Sequence, residues 1–314
     1  MYKFAAILKL IQILTRFLSN SNSQSRRTTV RDIYYQDVEI FNKSQTECKR
    51  LLDSIVENSL GWSLVKDLNI YPSQKGLFYE YNYYNPKLKL ENNHPILIPM
   101  EFEKYQFCGD GSGADDGAED GGDYGGDDDE KKSANNTSGQ EKKQYNEEKQ
   151  LCVAIFEKDA VFESFCKHLA NGKFKFSTRL IIVTAKGYAD SLTLAFLKWI
   201  QSKHTKCTFI GFFDADVYGV NIYQQYKKVI ESLKYAGIFL LNSKPQSWLN
   251  TTLRDIKVAA TLADKAIQLD ASCHRELTRQ MFLLKKGEIN VISGDDGNYN
   301  TYLISKIKTL AANT

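Results

Sequence analysis

Three apolar runs, Leu151–Phe156, Leu180–Thr184 and Thr208–Phe213, recur along the second half of the chain. Helical-looking stretches at Val161–Leu169 and Leu192–Ile200 lie between them. An uninterrupted apolar run suits a strand buried on both faces, and such strands belong to parallel sheets. Strands alternating with helices predict an α/β fold with right-handed crossovers and a mainly parallel sheet. Ile238–Leu241 is a candidate fourth strand. Ligands in such sheets bind outside the carboxyl ends of the strands, so the residues that follow each run are the first candidates for chemistry.

The first half reads differently. In residues 1–20, Ile7, Leu10, Ile11, Leu14, Phe17 and Leu18 recur at helical spacing, while Lys9 and Gln12 interrupt the apolar centre that a signal peptide needs. This predicts an amphipathic helix that docks on the protein or a partner, with a mitochondrial or membrane role as the lesser reading. A polar linker follows, then a helical stretch over about 29–41. Ser44-Gln45-Thr46-Glu47 is a capping-box pattern ahead of Cys48, Leu51, Leu52, Ile55 and Val56 on one helical face. Trp62–Leu68 suggests a third short helix, and Gly76–Tyr84 a strand. Three helices and then strands is a winged-helix layout over residues 21–105, related to DNA-binding helix-turn-helix modules. A small helical subdomain without nucleic acid fits the same pattern.

Residues 109–130 hold ten Asp or Glu, eight Gly and no Lys or Arg, and the polar tract after them continues to 150. Such a composition buries too little apolar surface to fold, so 106–150 reads as an acidic disordered insert. A surface insertion of this kind is well tolerated; a second reading is a polyanion mimic that screens a basic body. The insert also masks the charge. The chain's 41 Lys and Arg face 38 Asp and Glu, a net +3, but without the ten acids of the insert the excess is 13. A body so positive suits a polyanion, nucleic acid first and an anionic membrane second, although a solubilising surface has the same balance. With 42% hydrophobic and 25% charged residues, collagen-like, wholly disordered and polytopic membrane chains are excluded. Six Cys without metal-type spacing argue against zinc and fit a reducing cytosol or nucleus.

Glu157 directly follows the first run, and Asp214 and Asp216 the third. Residues two apart in an extended segment project to the same side, so these carboxylates can converge. Like charges so placed repel unless a cation neutralises them, and oxygen ligands suit Mg²⁺ or Mn²⁺. A solvated turn is the plainer reading of a lone Asp-x-Asp. Lys186 and Gly187 follow the second run at the same edge, where a cation can meet a phosphate. In the basic N-terminal part, Arg31 and Tyr35 stand four apart and can share a helical face. A phenol is a poor nucleophile at neutral pH and needs a base, a metal or a cation beside it. A guanidinium can do this and also clamp a phosphate. Among 18 Tyr, a core or surface role for Tyr34 and Tyr35 is equally open on pattern alone.

Several motifs then agree in order. V-R-D-I-Y-Y (30–35) resembles the nucleophile motif of topoisomerase VI A-type proteins and the related meiotic double-strand-break transesterases. I-F-E-K-D-A-V-F (155–162), K-G-Y-A-D (186–190) and G-F-F-D-A-D-V-Y-G (211–219) resemble successive motifs of that family's Toprim domain. N-I-Y-P-S-Q-K-G-L-F-Y (69–79) resembles its wing, and K-K-G-E-I (285–289) its C-terminal signature. The likeness covers about 25–105 and 151–300 and is to the fungal meiotic form. It implies a winged-helix domain followed by a Toprim domain with C-terminal extension over 151–314. It also implies Tyr35 as nucleophile, Arg31 as its active-site partner, and Glu157, Asp214 and Asp216 as ligands of Mg²⁺, with Mn²⁺ as the alternative ion. A homodimer, with the tyrosine of one protomer at the metal site of the other, would cut double-stranded DNA and stay joined to each 5′ end. Accessory meiotic proteins are implied, including a topoisomerase VI B-like partner and, through Arg279–Phe282, a WD-repeat protein. The nucleus and chromosome are the implied location.

Ala189, Ser191, Leu194 and Val217 depart from the family pattern without removing a catalytic group. From charge and placement, Lys75, Lys186, Arg26 and Arg27 are the expected backbone contacts. The rival readings are a metal-dependent hydrolytic nuclease, a non-catalytic DNA scaffold and the A-type component of a type II topoisomerase.

Overall fold

A computed structural model describes residues 2–19, 27–81, 94–107, 150–172, 174–264, 270–292 and 298–312. Arg26, the polar linker before it and nearly all of the acidic insert lie outside the described residues. The first helix, α1 (Tyr2–Ser19), buries Ala6, Leu10, Ile13 and Leu14. Ile11 and Leu18, expected inward, are exposed, so the buried stripe is rotated from the one read off the sequence. A two-residue strand β1 (Thr28–Thr29) leads into α2 (Val30–Tyr35). Thr29 caps α2: its hydroxyl accepts from the Asp32 amide, and the Asp32 carboxylate accepts from the Thr29 amide. The helix expected over 29–41 breaks after Tyr35 and resumes as a 3₁₀ turn at Glu39–Phe41. At the break the Asp37 carboxylate accepts from the Ile40 amide, the local bonding by which Asp competes with helix continuation.

Ser44 caps α3 (Gln45–Asp53), accepting from the Glu47 amide, while the Glu47 carboxylate turns to Arg50 instead of completing the box. Trp62–Leu68 forms turns, not the expected third helix, and then β2 (Ile70–Tyr71) pairs parallel to β1. Leu10, Ile33, Phe41, Cys48, Leu52, Val56 and Ile70 close this module around a core of its own.

The strand expected as a wing, β3 (Leu77–Tyr81), joins a larger sheet. Its neighbours are β4 (Ile96–Leu97), β5 (Leu151–Phe156), β6 (Arg179–Thr184), β7 (Cys207–Phe212) and β8 (Lys234–Gly237), in the order β4-β3-β6-β5-β7-β8. The four strands β6, β5, β7 and β8 run parallel, and β3 is antiparallel to β6. The reason is burial. Phe78 and Tyr79 point to opposite faces of the sheet, and both are covered. Phe78 packs edge-on to Tyr105 and against Phe196. The fourth parallel strand falls at 234–237, ahead of the 238–241 expected, and Leu240–Asn242 is a 3₁₀ turn.

Helices α4 (Asp159–Asn171), α5 (Ser191–Lys203) and α6 (Val217–Lys227) follow β5, β6 and β7. Alternate residues of β5 serve two cores. Leu151, Val153 and Ile155 face α5 and α6, whereas Cys152, Ala154 and Phe156 face α4 and the last described helix (Tyr299–Ala312). After β8 come β9 (Leu249–Asn250), α7 (Leu253–Asp264), α8 (Ala271–Leu283), β10 (Lys285–Lys286) and α9 (Tyr299–Ala312). β9 and β10 pair antiparallel, and Gly287 forms a two-way bridge with Ala215. No helix among the described residues is long and apolar enough to cross a membrane.

Because Phe78 belongs to the sheet, Phe78→Ala is expected to cost about 3–5 kcal/mol by denaturant titration. Hydrogen exchange is expected to show the amides of β6 losing protection in that variant.

Candidate active site

The candidate residues form two constellations. In the N-terminal module, α2 spans under two turns, and its neighbouring tyrosines have different fates. Val30, Ile33 and Tyr34 face the core; Tyr34 is 9% exposed and lies against Phe41. Tyr35, one position on, is 58% exposed. Arg31 stands one turn before Tyr35, donates to its hydroxyl oxygen at 3.3 Å, and holds its guanidinium carbon 5.6 Å from the ring centre. The hydrogen bond to Tyr35 pushes the Arg31 pKa up, so the charge beside the phenol is permanent. Helical spacing brings this cation to the phenolic oxygen, the kind of neighbour a tyrosine needs before it can act as a nucleophile.

The second constellation sits at the carboxyl ends of β5 and β7. Phe156 and Phe212 are register partners, so the residues after them lie side by side. The Asp214 amide donates to Glu157 Oε2 at 2.9 Å. Asp214 Oδ1 accepts from the Ile289 amide at 2.8 Å, and Oδ2 lies 3.0 Å from the Lys158 ammonium. Asp216 is the N-cap of α6, with Oδ1 accepting from the Gly219 amide at 2.7 Å. Gly219 is needed for close approach: a Cβ there would lie 2.3 Å from the Asp214 carbonyl oxygen.

The three acids strain against their own charge. Burial first, then Asp214, pushes Glu157 up to about 8. Burial also raises Asp214, offset in part by the Ile289 amide and Lys158. Asp216 is raised by burial too, with Asp214 adding to the rise.

Among the described residues, no three His, Cys, Asp or Glu side chains are arranged as a ready metal cage. Glu157 and Asp214 are brought into contact, whereas Asp216 is turned to its helix cap. The donor set nonetheless suits a hard divalent cation. Three carboxyl-bearing residues lie at one sheet edge, and burial raises the pKa of each, so a cation bound there would favour their charged form.

The expected phosphate contacts are dispersed and engaged. Lys186, in the left-handed region at φ 56°, pairs with Asp159 at 3.0 Å, and the next amide, Gly187, donates to the Glu157 carbonyl at 2.8 Å. Lys75 donates to the Tyr188 carbonyl at 3.1 Å, which puts it beside the same loop. Arg27 pairs with Glu101 at 2.9 Å. Two charged residues beside the acids were missed in the sequence. Lys158 directly follows Glu157, and Glu288 belongs to the K-K-G-E-I segment that the Ala215–Gly287 bridge draws onto the Asp-x-Asp turn. Their adjacency to named motifs was the available signal.

The Toprim-domain family of topoisomerase 6 A-type proteins and Spo11 matches residues 152–291, which include Glu157, Asp214 and Asp216. The family described as "Type IIB DNA topoisomerase" matches residues 2–70, which include Arg31 and Tyr35. The chain belongs to the topoisomerase VI A/Spo11 family. Two curated members of this Spo11-type family resemble it along most of its length. The meiotic recombination protein rec12 of Schizosaccharomyces pombe is 28% identical over 282 residues, 84% of this chain and 67% of that protein. The meiosis-specific protein SPO11 of Saccharomyces cerevisiae is 28% identical over 331 aligned positions, 92% of this chain and 71% of that protein.

Two outcomes are expected of the acid cluster in this Spo11-family chain. A carboxylate whose pKa is higher folded than unfolded binds more protons in the folded state, so stability falls as pH rises between the two values. In chelator, melting temperature is therefore expected to fall from about pH 4.5 to about pH 8, and Glu157→Gln to flatten that slope. Gly219→Ala is expected to destabilise the protein by about 1–3 kcal/mol in urea titrations, because backbone must yield.

Proposed function

We infer that the protein is a DNA-cleaving transesterase that makes the double-strand breaks from which meiotic recombination starts. The observation that carries this reading is the exposed Tyr35 hydroxyl held by Arg31, on a chain of the topoisomerase VI A/Spo11 family. Tyr35 Oη attacks a backbone phosphorus and forms a P–O bond. The phenolic proton leaves to solvent, the bond to the 3′ oxygen breaks, that oxygen takes a proton from solvent to become a 3′ hydroxyl, and the 5′ end remains as a phosphotyrosyl ester. The exchange of one phosphodiester for another conserves bond energy. Arg31 stabilises the phenolate as it forms and then the negative charge on the attacked phosphate.

Glu157, Asp214 and Asp216 would hold Mg²⁺, with Mn²⁺ able to replace it. When bound, the ion supplies charge neutralisation at the phosphate and at the departing oxygen. Lys158 and the amides of Ile289 and Gly219 orient the carboxylates that receive it. Two protomers act together, each offering its tyrosine to the other's acids, so both strands are cut.

Residues 21–105 serve as the winged-helix part of the enzyme, with Leu77–Tyr81 shared with the Toprim sheet, and 151–314 as the Toprim domain and extension. Lys75, Lys186, Arg26 and Arg27 are the backbone contacts, and DNA phosphates displace the exposed partners of Lys186 and Arg27. A topoisomerase VI B-like partner, with other meiotic proteins, completes the complex. Phe282, 85% exposed at the end of Arg279–Phe282, suits the WD-repeat partner. The protein works in the nucleus, on chromosomes.

The decisive experiment is recovery of protein-linked DNA from meiotic cells, with peptide mapping of the joined residue. Tyr35 is expected to carry the nucleotide. Tyr35→Phe is expected to abolish breaks, Tyr34→Phe to retain them, and Arg31→Ala to lower them by about 10²–10³-fold. Breaks with protein-free ends from Tyr35→Phe would establish a hydrolytic nuclease instead.

A further inference from the structure

Lys158 takes no direct part in the transesterification, yet it is held at the centre of the acid cluster. Its ammonium lies 3.0 Å from Asp214 Oδ2, 3.2 Å from Glu288 Oε2 and 3.3 Å from Asn290 Oδ1. The two sets of partners differ in position. Asp214 belongs to the turn after β7, beside Glu157, whereas Glu288 and Asn290 belong to the segment that the Ala215–Gly287 bridge fixes against that turn. The Lys158 backbone is extended and anchored as the residue before α4, so only its flexible side chain can travel.

The two engaged oxygens of Asp214 are not equivalent toward an incoming cation. Oδ1 is held by a neutral amide, which can stay in place as an orienting partner when the carboxylate takes an ion. Oδ2 faces a full positive charge at contact distance, which a divalent ion cannot approach without repulsion. Glu288 and Asn290 already supply the place to which the ammonium can withdraw, because they bind it now.

We propose that Lys158 is a tethered cation that neutralises Asp214 before the divalent ion arrives and retreats onto Glu288 and Asn290 when it binds, so that it sets the ion's affinity. Lys158 is thus a positioning residue for the acid cluster. The proposal rests on the reading that Glu157, Asp214 and Asp216 hold the ion.

The test is calorimetric titration of the full chain with Mn²⁺ alone, without DNA, with melting in chelator recorded in parallel. Lys158→Gln is expected to bind Mn²⁺ about fivefold tighter, the factor that corresponds to one modest ion pair. It is also expected to melt earlier in chelator, and Lys158→Arg to restore both values toward the native protein. Glu288→Gln is expected to weaken Mn²⁺ binding in the native background and to have no effect in the Lys158→Gln background, since it acts through the ammonium. Unchanged or weaker binding in Lys158→Gln, with Asp214→Asn abolishing binding, overturns this proposal and leaves the metal reading standing. Mn²⁺ binding that is absent, or indifferent to Asp214→Asn, overturns both. Should Lys158→Gln fail to fold, Asn290→Ala decides: it changes no charge, so weakened Mn²⁺ binding supports the cradle and unchanged binding overturns it.

Discussion

The register between β5 and β7 governs the chemistry of this molecule. Phe156 lies opposite Phe212, and both strands are buried on both faces, so a slip of one residue would send every inward side chain to the wrong core. With that register held, Glu157 leaves its strand beside the turn that carries Asp214. Neither acid could be kept in so apolar a place by local structure alone. Their charges are opposed by burial and by one another, and are offset by amides and by Lys158. The hydrophobic sheet is thus the structure that forces carboxylates together.

The tyrosine is set by a different and more local device. A helix of six residues, capped by Thr29 and Asp32, buries one tyrosine and exposes the next. Arg31 then meets Tyr35 across a single turn, which needs no long-range contact. The two parts of the enzyme are therefore built on different length scales. Tyr35 and its cation Arg31 stand four positions apart, whereas the three acids are drawn from positions 157 to 216.

Much of this was legible in the residues. The continuous apolar runs declared the parallel strands, since a strand buried on both faces has no polar positions to alternate. Ser44 and the run behind it declared α3. Other elements misled for identifiable reasons. Residues 77–81 are aromatic and two-sided, which suits a wing hairpin and a sheet strand equally; the choice of β6 as partner depends on Phe196 and Tyr105, distant in sequence. Ile238 and Leu240 are apolar because they plug the core beneath the sheet, so their run overshot β8. Trp62–Leu68 has helical spacing, but its length supports only turns.

The order of chemical groups along the chain was set by the amino acids alone: a tyrosine after an arginine, acids after apolar runs, a glycine where backbone must pass. These depend on residue type and short spacing, which no later packing can alter. Which Asp214 oxygen meets the Ile289 amide and where Lys158 rests were decided only on folding. The contacts of Glu157, Lys158 and Asp214 belong to partners brought together across 56 to 132 positions. Such contacts are chosen by burial summed over the entire sheet, a quantity that no local segment contains.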